Sequence, residues 1–264
     1  MASTSELSAR RSHYQEEAMR LARRLRGQRE KELRQRSFFR HLLEQGTMQA
    51  TWTLEWIIRG TVFKHPDCSL LYDCMVMPES IHKALGEPEL NDILRSARQE
   101  NCLATLHWLI SAAQSGEPEI LDLQKLVHEE MRQMTLGHRR ALARRIVPVE
   151  MDKLLCDPDE GVISNLLKHS KITEEHVLRI CSKRPTTQAA LNAVMRSERW
   201  LQRYRVKLAL AQNPYLYVPY ALNLLAYLKQ PDLKHIMGQP SNPLVLRDGA
   251  LLFLRIASQS EDWP

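Results

Sequence analysis

Five side chains in the first half of this 264-residue chain have the clearest capacity for chemistry: His65, Cys68, Cys74, Cys102 and His107. Imidazole and thiolate are ligands for zinc and for iron–sulfur clusters. His65 and Cys68 are three residues apart, and Cys102 and His107 five, spacings that a metal site tolerates. The tight Cys-x-x-Cys pair is missing, because five residues separate Cys68 from Cys74 and twenty-seven separate Cys74 from Cys102. Buried thiols and surface histidines account for the same residues, so no metal and no cofactor is expected. Cys156 and Cys181 lie in apolar runs and read as small core residues. His128-Glu129 begins like a zinc-protease helix, but Arg132 stands where the second histidine belongs, which leaves an ordinary helix surface. Neither a glycine-rich phosphate loop nor a nucleophile-elbow serine is present. No catalytic residue is assigned, and the chain is expected not to be an enzyme.

The remaining chemistry is that of binding. Arg139, Arg140, Arg144 and Arg145 form one basic cluster. Arg196, Arg199, Arg203 and Lys207 form another, at i, i+3, i+7 and i+11, which is one face of a continuous helix. A break near Arg199 would split that stripe. The two clusters could meet phosphates or an acidic protein surface, and Tyr204 beside them could stack on a base. Tyr215, Tyr217, Tyr220 and Tyr227 are four of the chain's seven tyrosines. Tyrosine covers much area at low entropic cost and is enriched at interfaces. The expected partner surface is Tyr215, Tyr217 and Tyr220 as anchors, with Arg199, Arg203 and Lys207 matching charge.

The elements that must position these residues are helical throughout. Residues 6–44 hold the stripe Ala18, Leu21, Ala22, Leu25, weakened at Gly27 and followed by Phe38, Phe39, Leu42 and Leu43. They read as a basic outer helix docked only at its C-terminal end. Residues 47–60 read as an amphipathic helix anchored by Trp52, Trp56 and Ile57. Residues 61–78 read as irregular, with Pro66 and Pro78 as breakers, and 79–85 as a short helix. Glu87 to Ala113 reads as one long helix, and Glu117-Pro118-Glu119 opens another that runs to Met134. No stretch alternates long enough to make a strand.

From Leu136 the pattern repeats. VISNLLKHSKITEEHVL (162–178) aligns with YRVKLALAQNPYLYVPYAL (204–222) when Leu166 is laid on Leu210. His169 then meets Asn213, Ile172 meets Leu216, and Leu178 meets Leu222. Asp157-Pro158-Asp159 reads as cap, first-turn proline and acidic residue, and Thr173-Glu174-Glu175 as a second helix start. Pro185, Pro214 and Pro243 recur every 29 residues. Over residues 136–257 the chain resembles HEAT/armadillo-type solenoids and is similar to bacterial leucine-rich repeat variant repeats. The resemblance implies a curved array with a concave binding face, and scaffolding rather than chemistry. Leucine-rich repeat variant proteins can carry an N-terminal iron–sulfur module with four clustered cysteines; here Cys68, Cys74 and Cys102 would need His65 or His107 as a fourth ligand. HEAT-like alkylpurine DNA glycosylases are similar in architecture, but no carboxylate here matches their motif.

The net charge of +6 is uneven: residues 1–45 carry eleven Lys/Arg against six Asp/Glu, and the remainder 26 against 25. A protein coated in nucleic acid would spread its basicity further. Five scattered cysteines, with no secretory signal and no run of 18 apolar residues, lead us to expect a cytoplasmic protein without a membrane span. The expected organisation is all-α: a basic arm (1–45), a helical region (46–134) and a HEAT-like α-solenoid (135–264). The expected function is a non-catalytic scaffold or adaptor that binds a protein. The alternative is a HEAT-like nucleic-acid-binding protein, related to DNA repair, using Arg139, Arg140, Arg144 and Arg145.

Overall fold

The computed structural model describes residues 4–113, 123–145 and 148–259. Among them every regular element is helical and no strand occurs. The chain forms two compact units, Met1–Gln114 with Leu222–Pro264, and Ser115–Ala221. Residues 222–259 thus pack with the N-terminal helices.

The first unit opens with α1 (Thr4–Arg26), α2 (Lys31–Glu44), α3 (Thr47–Val62), α4 (Pro66–Tyr72), α5 (Pro78–Ala84), α6 (Glu87–Gln99) and α7 (Leu103–Ala113). The second holds α8 (Leu123–Leu126), a 3-10 turn at Glu129–Met131, α9 (Leu136–Arg145), α10 (Pro148–Leu154), α11 (Glu160–Leu167), α12 (Glu174–Ser182), α13 (Gln188–Met195), α14 (Glu198–Leu201) and α15 (Tyr204–Ala211). Helix α16 (Val218–Leu224) returns the chain to the first unit, where a 3-10 turn (Leu225–Tyr227), α17 (Gln230–Gly238) and α18 (Leu244–Ser258) complete it.

Helix α3 is the hub of the first unit, packed by α1, α4, α6, α7 and α18. It is buried on nearly every side, including Thr51, Thr53, Glu55 and Thr61, rather than along the one amphipathic face expected. Its polar groups find partners inside the unit. Thr51 and Thr61 donate to the carbonyls of Thr47 and Ile57, both at 2.8 Å. Glu55 pairs with Arg59 at 2.6 Å and accepts the Thr105 N–H at 2.8 Å, so a buried carboxylate caps the first turn of α7.

Several local expectations are corrected. The arm 6–44 is two helices broken at Gly27, and α1 does not dock only through its end. Tyr14, Ala18, Leu21, Ala22 and Leu25 are all buried against α3 and α4. The small Ala18 and Ala22 allow the close approach that makes so narrow a stripe sufficient. Residues 61–78 are not irregular, because Pro66 and Pro78 sit in the first turns of α4 and α5, where a missing N–H costs nothing. The long helix 87–113 breaks at Asn101, which adopts φ +55°. There the Cys102 N–H reaches the Ala97 carbonyl at 2.9 Å and the Asn101 N–H that of Arg98 at 3.4 Å, a Schellman stop. The opening at Glu117-Pro118-Glu119 lies outside the described residues. The described remainder to Met134 holds only α8 and a 3-10 turn, with His128 just before that turn.

The second unit is built by stacking. Helix α11 packs between α9 and α13, and α12 packs on α15. Two of its helices match position by position: Val162, Ile163, Leu166 and Leu167 of α11 correspond, 28 residues on, to Ala190, Leu191, Val194 and Met195 of α13, and all eight are buried. N-caps follow the same rhythm, since Asp159 accepts the Val162 N–H at 3.0 Å and Thr187 the Ala190 N–H at 3.1 Å. The cap is therefore Asp159 rather than Asp157. The 44-residue alignment of Leu166 with Leu210 crosses layers, because Leu166 belongs to the α11–α13 layer and Leu210 to α15, which stacks on α12. The 29-residue proline spacing is nearer the true register.

Candidate partner-binding surface

The expected surface falls on α13 to α16 of the second unit. Residues 195–211 are not one helix: α13 ends at Met195, α14 spans Glu198–Leu201, and Arg203 is the N-cap of α15. The stripe Arg196, Arg199, Arg203, Lys207 is therefore split. Within the short α14 the Trp200 side chain is buried and its indole N–H donates to the Leu167 carbonyl at 3.0 Å.

Arg199 lies over the outer face of the same indole, its guanidinium carbon 4.5 Å from the ring centroid. One of its N–H groups reaches the His169 carbonyl at 3.4 Å. The cation is thus exposed and held in place. Arg203 is exposed and Lys207 half-buried. Arg196 is ion-paired with Glu160 of α11.

The tyrosines are ordered by Asn213, which sequence reasoning aligned with His169 but gave no role. Asn213 is buried; its amide donates to the carbonyls of Cys181 at 2.6 Å and Lys183 at 3.2 Å, and its Oδ1 accepts the Tyr215 N–H at 3.0 Å. That last bond is an Asx turn, and Asn-Pro after an apolar helix is its sequence signal. It sets Tyr215 and Tyr217 as half-buried residues on the turn into α16. Tyr220 is different. It is only 3% exposed and meets the Tyr217 ring edge-on, with centroids 5.6 Å apart. It supports Tyr217 from inside and presents almost no surface. Tyr227 is buried in the first unit, where its hydroxyl meets Asp73.

The cluster Arg139, Arg140, Arg144, Arg145 divides by role. Arg139 pairs with the buried Asp157 at 2.7 Å and reaches the Met134 carbonyl at 3.2 Å. Arg140 grips Asp159 with two bonds of 2.8 Å. That grip, helped by the Val162 N–H, holds the Asp159 carboxyl below its ordinary range despite partial burial. Gly161 makes room for it, since a Cβ there would stand 2.6 Å from Arg140 Nε. These two arginines fasten α9 to the turn before α11. Arg144 and Arg145 remain exposed.

Lys183 reinforces the same unit from half-buried ground, donating to the carbonyls of Leu126 at 3.1 Å and Cys156 at 2.5 Å. Burial lowers its pKa.

The histidines and cysteines of the first unit do not assemble. Among the described residues no three of His, Cys, Asp and Glu are placed to share a metal ion. Cys68, Cys74 and Cys102 are free, buried thiols; burial pushes all three up, Cys74 and Cys102 to about 12. His107 is buried against Phe253, with ring centroids 4.9 Å apart, and burial pushes it down to about 4. No described helix is long and apolar enough to cross a membrane.

Compared with family models, curated proteins and solved structures, the chain finds no match.

Proposed function

We propose that the second unit is a non-catalytic docking module of the HEAT-like helical-repeat kind, binding a protein partner through the exposed side of α14–α16. The observation that supports this reading is the 28-residue register of buried positions and caps between α11 and α13. A helix pair of this size cannot bury its apolar face alone, and stacked pairs offer long surfaces suited to macromolecules. Arg199, Arg203 and Lys207 supply charge, Tyr215 and Tyr217 supply contact area, and Tyr220 braces Tyr217. The pairing of Arg139 and Arg140 with Asp157 and Asp159 favours a protein over a nucleic acid, since those guanidiniums are already engaged.

The test is affinity capture from native lysate, with and without nuclease, read by mass spectrometry. The bait is the full chain and its Arg199→Ala/Arg203→Ala/Tyr215→Ala/Tyr217→Ala variant. A protein partner that survives nuclease and is lost from the variant supports the reading. Partners retained by the variant, or lost on nuclease treatment, overturn it.

A further inference from the structure

Helix α7 reads LATLHWLISAA and contains no Asp, Glu, Lys or Arg. A helix apolar all round belongs in an interior. Most of α7 obeys: Ala104, Thr105, His107, Trp108, Leu109 and Ser111 are buried. One edge does not. Leu103 is 42% exposed and Ile110 46%, seven residues apart on one side of the helix. Helix α6 packs alongside, and an open groove of about 600 Å³ runs there, lined by Leu90, Leu94, Leu109 and Ile110 together with His82 of α5.

The rim of this groove carries opposite charges at its two ends. Glu87 stands in the first turn of α6 and Arg98 in its last. Both are exposed, and neither is ion-paired among the described residues. Eleven residues of helix separate them, about 16 Å at 1.5 Å per residue. That is the length of three turns of a second helix lying along the groove, which is how amphipathic helices dock on helical proteins.

We propose that the α6–α7 groove of the first unit receives an amphipathic helix from a partner protein. The occupant lays apolar residues at i, i+4 and i+7 over Leu94 and Ile110, with a basic residue at one end to meet Glu87 and an acidic residue at the other to meet Arg98. This site is separate from the α14–α16 surface, so its failure would leave the reading of the second unit standing.

The experiment uses the full chain and three fluorescein-labelled designed peptides of roughly 15 residues, long enough to hold a helix. All share the same leucine stripe. One carries Lys at one end and Glu at the other, one carries Glu at both ends, and one Lys at both. Fluorescence anisotropy should show saturable binding with a preference of roughly fivefold for the mixed peptide. Glu87→Lys should shift that preference to the doubly acidic peptide, and Arg98→Glu to the doubly basic one. These rim positions are exposed, so both variants should keep the far-UV dichroism of the parent. Ile110→Asp, also at an exposed position, should weaken all three peptides at least tenfold. The proposal is overturned if no peptide saturates, if the rim variants leave the preference unchanged, or if Ile110→Asp binds as the parent does. It is equally overturned if Ile110→Asp dissolves a dimer of the parent or releases it from anionic vesicles, which would make a second copy or a lipid surface the occupant.

Discussion

Asn213 is the residue through which the fold of the second unit reaches its proposed surface, and Asn213→Ala is the sharpest test of that link. The side chain makes three hydrogen bonds, to Cys181 O, Lys183 O and the Tyr215 N–H. Each bond contributes about 1 kcal/mol net, and a buried partner left alone costs about 1–3 kcal/mol. Lys183 and Tyr215 are half-buried, so water can replace part of what they lose, whereas Cys181 is fully buried. The expected destabilisation is therefore about 2–4 kcal/mol, nearer the upper end if the Cys181 carbonyl stays dry. Asn213→Asp keeps the acceptor for Tyr215 but turns a carboxylate toward two carbonyls, so it should be at least as damaging. Equilibrium urea unfolding of the full chain, followed by far-UV dichroism and by Trp200-dependent fluorescence, measures both. A companion Tyr215→Ala variant should lose the captured partner while keeping the parent's stability. If Asn213→Ala stays within about 0.5 kcal/mol of the parent, the amide does not tie α12 to the turn before α16 and the reasoning fails.

Three further outcomes arise from burial. His107 is held near 4 in the folded chain, below its ordinary 6.5, so between those values the unfolded chain takes up a proton that the folded one refuses. Stability should then fall as pH drops from 7 toward 4, by a limit of about 3 kcal/mol, and His107→Gln should flatten the slope measured by urea midpoints at pH 7 and 4.5. At Gly249 an added Cβ would lie 2.4 Å from His107 Cε1 and 3.0 Å from Leu225 Cδ1. Overpacking of about 1–3 kcal/mol should outweigh the roughly 1 kcal/mol gained from helix propensity, and a raised Tm for Gly249→Ala would show that the ring has room to yield. Cys68, Cys74, Cys102 and Cys181 are buried and Cys156 is half-exposed. An aromatic disulfide reagent at pH 8 should titrate one thiol in the native chain, lost in Cys156→Ser, and all five in urea; a second fast thiol in the native chain would contradict the packing.

Helical class was legible because period and caps are local. Thr173 was expected to cap a helix, and it does cap α12; its N–H is met at 3.1 Å by Nδ1 of His176, the residue three further on. What failed was whatever depended on competition between signals. Asn101 stops a helix inside an unbroken apolar rhythm, and a count of apolar residues hides a single left-handed residue. A proline breaks a helix or begins one according to the residues after it, and here Pro66 and Pro78 both begin one. The succession of short helices was visible, but which of them correspond was not. Both layers of the array use the same leucine-rich composition, so laying Leu166 on Leu210 scored well while matching helices from different layers. Tyr220 looked like Tyr215 and Tyr217 in sequence; only the path of α16 turns it inward.

The arginines show why charge clusters read from a sequence mislead about partners. Arg140 meets Asp159, Arg179 meets Asp152, Arg196 meets Glu160 and Arg205 meets Glu175, all within the second unit. Each acid lies 19 to 36 residues before its arginine or after it, outside any local window. Exposed pairs of this kind contribute little stability, about 0–1 kcal/mol each. Their arrangement still matters, because they join α9 to α11, α11 to the end of α13, α10 to α12 and α12 to α15, and a helix slipped by one turn would lose its partner. Specifying register in this way removes those guanidiniums from the surface charge available to a ligand. Among the described residues of the second unit, the exposed lysines and arginines outside this ladder are Lys125, Arg132, Arg144, Arg145, Lys168, Lys171, Arg184, Arg199 and Arg203, and Arg132, Arg184 and Arg199 each donate to a backbone carbonyl. A phosphate backbone is held through many cations free to meet it, and Arg139 and Arg140, half of the cluster the sequence offered for that task, are engaged with Asp157 and Asp159, which is why the proposed ligand of the second unit is a protein.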